Sequence, residues 1–144
     1  MNIGVGDLMK ARTWLSGLEL APRDSRIRSR LNRVLATRIE DTSRDERELM
    51  DKMLLKDDAG ELVVDDIGNY ILKDGYTTRE FNAELQDIHS ETVNVDLSSW
   101  PGIEQELYRI LTELDIQLSG DDAEAYDALM TALEEDQQAT KGTA

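Results

Sequence analysis

The chain has 144 residues, about the size of one domain, and its 31 acidic against 16 basic side chains leave it at net −15 at pH 7, beyond the magnitude of roughly 2–8 usual for a small domain. An apolar content of 40% allows a core. No run of about 18 apolar residues is available to cross a membrane as a helix, and the opening MNIGVGDLMKAR lacks the basic-then-apolar layout of a secretion signal. With no cysteine and one histidine, disulfides, thiolate nucleophiles, zinc fingers and iron–sulfur ligation are excluded, together with most triads and metal sites. The expectation is a cytoplasmic protein that is not an enzyme and carries no cofactor or metal.

Residues 7–20 place Leu8, Trp14, Leu15 and Leu18 at helical spacing behind Asp7, a candidate N-cap, and Pro22 ends the run. A second helix opens at Asp24 or Ser25, with Ile27, Leu31, Val34, Leu35 and Ile39 on one stripe. The pattern weakens over 40–43 and resumes at Leu49, Met50, Met53, Leu54 and Leu55, which one bent helix or two would both fit. Residues 7–56 are expected to form a helical hairpin.

Charge is uneven along the chain. Through Lys56 there are 12 basic and 9 acidic residues, net +3, and beyond it 4 and 22, net −18. Between Arg23 and Arg33 five arginines face one acid, Asp24, and Arg26, Arg30 and Arg33 form a row beside the apolar stripe. Such a row serves either to offset the acidic remainder of the same molecule or to dock an acidic partner. Direct nucleic-acid binding is not expected, because the acidic body repels phosphate and no aromatic residue interleaves with the arginines to stack on bases.

After Lys56 the period changes from 3.6 to 2. Asp57-Asp58-Ala59-Gly60 and Ile67-Gly68-Asn69 read as turns, with strands over Glu61–Asp65 and Tyr70–Leu72. The aspartates fail as an EF-hand loop: counted from Asp57, position six is Leu62 and position twelve is Gly68. Thr77-Thr78-Arg79-Glu80 is a capping box opening a helix with Phe81, Leu85 and Ile88 on one face, and His89 closes it as an exposed end residue. Val93, Val95 and Leu97 alternate with polar residues as a half-buried third strand.

Ser98-Ser99-Trp100-Pro101 reads as a helix start ahead of Ile103, Leu107, Ile110, Leu111 and Leu114. A last helix follows Ser119-Gly120 with Tyr126, Leu129, Met130 and Leu133 on one face, its first-turn acids favoured by the helix dipole. The expected fold is helix-rich α+β in one domain over 1–136: a hairpin (7–56), a strand–helix–strand part (57–97) within a small three-stranded antiparallel sheet, and a C-terminal helix pair (99–136). Residues 137–144 are expected to be a disordered tail.

No Walker loop, GxGxxG after a strand, HExxH or GxSxG is present. Carboxylate pairs such as Glu104 with Glu106, or Asp121 with Asp122, are expected by chance among 31 acids, and nothing marks one as desolvated for acid–base work.

The order of Asp24-Ser25-Arg26-Ile27-Arg28, Lys56-Asp57-Asp58-Ala59-Gly60-Glu61-Leu62-Val63-Val64 and Asn69-Tyr70-Ile71-Leu72-Lys73 resembles a family of small uncharacterised proteins from tailed phages and prophages of Gram-positive bacteria such as streptococci and lactobacilli. Glu80-Phe81-Asn82-Ala83-Glu84-Leu85, Glu91-Thr92-Val93 and the run from Leu118 to Met130 continue the likeness, over roughly residues 5–135. The resemblance implies a phage origin and a gene in the late region between tail-tip and lysis functions. It carries no catalytic residue, because the family is a domain of unknown function.

The expected role is therefore that of an accessory protein acting through protein–protein contact, in virion or tail assembly, with another phage protein or a host protein as partner. No membrane contact is expected, and self-association is a further expectation. The expected place is the host cytoplasm or the virion. The alternative is an acidic nucleic-acid mimic that inhibits a host defence or DNA-binding protein, since about one charge per 1.7 Å of duplex could be imitated by the acids after Lys56. Candidate interaction residues are Arg26, Arg30 and Arg33, and an exposed apolar patch or helix seam around Trp14, Leu49 and Met53.

Overall fold

A computed structural model of the chain describes residues 1–142. The elements in order are β1 (Asn2–Gly4), α1 (Val5–Ser16), α2 (Pro22–Met53), α3 (Thr78–Ser90), β2 (Thr92–Asn94), α4 (Ile103–Thr112) and α5 (Gly120–Gly142). The protein is helix-rich with a small antiparallel sheet, and it divides into two compact units. Unit 1 is residues 1–40 with 91–144, unit 2 is 41–90, and the boundary at 40/41 falls inside α2.

In unit 1, Leu8, Ala11, Trp14 and Leu15 form the buried stripe of α1, and Ala125, Leu129, Ala132 and Leu133 that of α5. These two helices pack on each other, with the Trp14 and Tyr126 rings edge to face at 5.7 Å. The expected hairpin of 7–56 is not confirmed: α1 packs against α5. The buried face of α5 that α1 meets includes the small residues Ala125 and Ala132. Side-chain hydrogen bonds link α2 to the end of α1. Arg28 donates from Nη1 to the Leu15 and Leu18 carbonyls at 2.5 and 2.9 Å and from Nη2 to Ser25 Oγ at 2.9 Å, adding to the Leu18 amide that donates to the Leu15 carbonyl at 3.2 Å.

The sheet of unit 1 has two strands, β1 antiparallel to β2, with Asn2 opposite Asn94, Ile3 opposite Val93 and Gly4 opposite Thr92. The alternation read over 93–97 holds, since Val95 and Leu97 are buried. Its partner is the N-terminal strand, three residues being too short to leave a period in the sequence. Ile103, Leu107, Ile110 and Leu111 form the buried stripe of α4. The helix begins after Gly102, which holds φ +84° as its N-cap, so Pro101 lies before the first turn rather than in it.

Unit 2 is built around Leu49, Met53, Leu54 and Phe81, with Met50, Leu62, Leu72, Tyr76, Leu85 and Ile88 packed against them. Both bonds of the capping box form at α3: the Glu80 amide donates to Thr77 Oγ1 at 3.2 Å and the Thr77 amide to Glu80 Oε2 at 3.3 Å. His89, in the last turn, lies with Nε2 2.7 Å from Glu46 Oε1.

The segment 54–76 corrects the expected three-stranded sheet. It is an eight-residue repeat: Leu55-Lys56-Asp57-Asp58-Ala59-Gly60-Glu61-Leu62, then Val63-Val64-Asp65-Asp66-Ile67-Gly68-Asn69-Tyr70, then a shortened Ile71-Leu72-Lys73-Asp74-Gly75. The arms between turns are three residues long, so each makes a single bridge to each neighbour: Lys56 with Leu62, Val64 with Tyr70, and Leu54 with Leu72. The Val63 amide donates to the Leu55 carbonyl at 3.1 Å, Ile71 to Val63 at 3.0 Å and Leu55 to Ile71 at 2.8 Å, a closed ring of three. In the two full turns one carboxylate oxygen accepts two amides. Asp57 Oδ1 takes those of Ala59 and Glu61 at 2.9 and 3.0 Å, and Asp65 Oδ1 those of Ile67 and Asn69 at 3.0 and 2.9 Å. Gly60 and Gly68 supply the left-handed corners at φ +81° and +85°. The first aspartate of each turn is thus a turn former.

At the C-terminus α5 runs through Gly142, so 137–142, expected to be disordered, are helical. Gln137, Gln138, Ala139 and Lys141 are good helix formers, and the apolar stripe that ends at Leu133 was no guide to them. Residues 143 and 144 of the expected tail lie outside the described residues. No helix is long and apolar enough to cross a membrane among the described residues.

Candidate functional site

The arginine-rich start of α2 and the segment 100–106 line a groove of about 740 Å³ within unit 1. Its apolar floor comes from Pro22, Ile27, Pro101 and Ile103, and its polar wall from Arg23, Arg26, Arg30 and Glu106. The helical repeat explains the arginines: positions 23, 26 and 30 fall three and four apart, one above another on the face beside the Ile27 stripe. The turn Leu97–Trp100, closed by the Trp100 amide on the Leu97 carbonyl at 3.1 Å, delivers the indole.

Arg30 lies over the Trp100 ring with its guanidinium carbon 5.6 Å from the centroid, a cation–π contact. It is fixed there, half-buried, while Arg26 is exposed. Arg23, 78% exposed, reaches Glu106 Oε1 at only 3.6 Å. Glu106 is itself shared: its Oε2 accepts from Arg109 Nη2 at 2.9 Å, and Arg109 Nη2 also donates to Asp24 Oδ1 at 2.9 Å while Nη1 reaches Glu113 at 3.1 Å. The hydrogen bonds that Arg109 donates to Asp24 and Glu106 raise its pKa further, so this cation is permanent. The only acid lining the groove is thus engaged by Arg109 as well as Arg23, and the groove presents net positive charge in a protein of net −15.

Of the residues singled out from sequence, Arg26 and Arg30 come together here. Arg33, exposed one turn further along α2, does not line the groove. Trp14, Leu49 and Met53 are buried at 6%, 9% and 2% exposure, so the patch expected around them is corrected. They fill the cores of units 1 and 2, because an apolar stripe reads alike whether a partner element of the same chain covers it or not. Trp100, Pro22 and Pro101 were missed as site residues. Trp100 lies 70 positions from Arg30, and only the local sequence Trp-Pro-Gly hinted at a rigid corner.

A second exposed feature lies on unit 2. Leu55, Val64, Ile67, Tyr70 and Ile71 are exposed at 39%, 51%, 82%, 46% and 37%. Ile67 sits at the tip of the second full turn beside Asp65 and Asp66.

Elsewhere in unit 1, Glu104 and Asp136 approach each other near the Met1 amine, which is 3.9 Å from Glu104 and 3.5 Å from Asp136. The hydrogen bond to Asp136, reinforced by burial, raises the Glu104 pKa to about 7, and the same bond lowers Asp136. A carboxyl pair sharing a proton can in principle do acid–base work, but neither residue lines the arginine groove. Among the described residues no group of three or more His, Asp or Glu side chains is placed to hold a metal ion.

A scan against protein-family models finds no match, and neither does a search of curated proteins or of solved structures.

Proposed function

We propose that the protein is a non-enzymatic accessory protein that binds another protein through the groove of unit 1, in the phage setting of virion or tail assembly that its family resemblance implies. One observation carries this reading: three arginines and a tryptophan converge over an apolar floor in a protein that is otherwise acidic. Such a groove suits a segment that presents an apolar side chain next to carboxylates, with arginine and tryptophan as anchors and charge complementarity setting specificity.

A nucleic acid suits it less. Arg30 already covers one face of the indole, which removes a stacking surface. Mimicry of nucleic acid is the weaker reading because many acids have local partners. Asp57 and Asp65 hold turns, Glu80 caps α3, Asp24 and Glu106 hold Arg109, Glu124 pairs with Lys10 at 2.6 Å, and Asp51 pairs with Lys56.

Parallel affinity purification of the wild type and an Arg26→Glu/Arg30→Glu variant from phage-infected or induced cells tests the proposal, with mass spectrometry of bound proteins and finished particles. The expected result is a phage or host protein retained by the wild type, lost from the variant and weakened between about 50 and 300 mM salt. An identical partner set on both would overturn it.

A further inference from the structure

The repeat in unit 2 contains an internal control. Its two full turns share a fold, but the tip position is Ala59 in the first and Ile67 in the second. Nothing in the turn needs an isoleucine there: the carboxylate of Asp65 and the left-handed Gly68 make the corner, and Ile67 stands 82% exposed. Its backbone is nevertheless held, because the Ile67 amide donates to Asp65 Oδ1 at 3.0 Å. A β-branched side chain fixed on a short, doubly bonded turn loses little freedom on docking. Beside it, Asp65 and Asp66 give two carboxylates, and behind it the bridged pair Val64 and Tyr70 adds half-exposed apolar surface. An apolar side chain flanked by carboxylates is the chemistry that the groove of unit 1 accepts.

We propose that the groove of unit 1 takes the Ile67 turn of a second copy of this chain, Ile67 entering between Pro22, Ile27 and Pro101 while Asp66 meets Arg26. This rests on the reading of the groove as a protein-docking site. Tip and groove are different surfaces, so each copy offers one of each, and association through them gives either a closed pair or ring, in which every tip is seated, or an open chain. The contact is small, which places its affinity in the range of roughly 10–500 μM.

Sedimentation velocity from about 5 to 500 μM protein tests it. The wild type is expected to gain mass progressively with concentration, with association weakened at least about 5-fold between 50 and 300 mM salt. Arg26→Glu/Arg30→Glu, with no groove, and Ile67→Asn, with no tip, are each expected to stay monomeric; both change exposed or half-exposed side chains, and circular dichroism checks that they fold. Mixed, they are expected to form a one-to-one dimer that grows no further, since one supplies an intact tip and the other an intact groove. A wild type that is monomeric at every concentration, a mixture that does not pair, or association surviving either change would overturn the inference. The two proposals fail separately. A monomeric wild type that still captures a groove-dependent partner sinks only the second copy as occupant, whereas capture unaffected by Arg26→Glu/Arg30→Glu sinks the groove.

Discussion

The two units reach similar charge by different architectures. Unit 1 has 10 basic and 17 acidic residues, net −7, and unit 2 has 6 and 14, net −8. The division of the linear chain into a +3 part and a −18 part therefore does not survive folding: residues 1–40, which hold seven of the eleven arginines, join 91–144, which hold many of the acids. Burial is distributed otherwise. Among the described residues twenty buried apolar side chains lie in unit 1 and four in unit 2, where backbone and carboxylate hydrogen bonds in a local repeat take over part of the task. Unit 1 is thus held by contacts distant in sequence and unit 2 by contacts near in sequence, and the two should respond differently to damage.

The largest contrast is expected from Phe81→Ala. Removing one of four buried residues costs about 3 kcal/mol. Amides over 54–90 should lose hydrogen-exchange protection while those of α1, α4 and α5 keep theirs; uniform loss across the chain would remove the distinction between the units. Asp65→Ala is next. It strips the acceptor from two turn amides at the cost of about 1–2 kcal/mol, read as faster exchange at Ile67 and Asn69 with unit 1 unchanged.

In unit 1 the corresponding sensitivity is to pH. Between Glu104's ordinary 4.5 and its folded value of about 7, the unfolded chain has released a proton that the folded chain still holds. Stability therefore falls as pH rises through that window, whereas Asp136, held low, contributes stability that is lost only as pH falls below its ordinary 3.8. Glu104→Gln is expected to gain about 1 kcal/mol on the wild type between pH 5 and pH 8 in denaturant titrations, and an equal difference at both pH values would contradict the shared proton. The smallest effect is expected from Gly68→Ala. No atom lies within 4 Å of the added methyl, so only the left-handed φ of +85° opposes it, at about 1 kcal/mol or less.

These contrasts also mark where the sequence could be read. The stripes of α1, α2, α4 and α5, the capping box at Thr77 and the turns at Gly60 and Gly68 are local patterns, and they form. Burial of Trp14, Leu49 and Met53 depended on partners supplied elsewhere, which a single stripe does not reveal. The eight-residue repeat is legible in the sequence, through Asp57-Asp58 with Asp65-Asp66 and Gly60 with Gly68, yet a period of two hides it when each arm is read as a strand. Half of the groove was likewise legible as the row Arg26 and Arg30. The other half, Trp100 and Pro101, meets it only through the long-range topology of unit 1.

The central claim is that the working surface is the groove between the start of α2 and the Trp100 turn. Hydrogen-exchange footprinting of a complex captured by the wild type tests it most directly. Protection is expected over 22–30 and 97–106 of the groove-bearing chain, abolished with binding itself in Arg26→Glu/Arg30→Glu. Protection confined to other surfaces, with 22–30 and 97–106 exchanging as in the unbound protein, would contradict it.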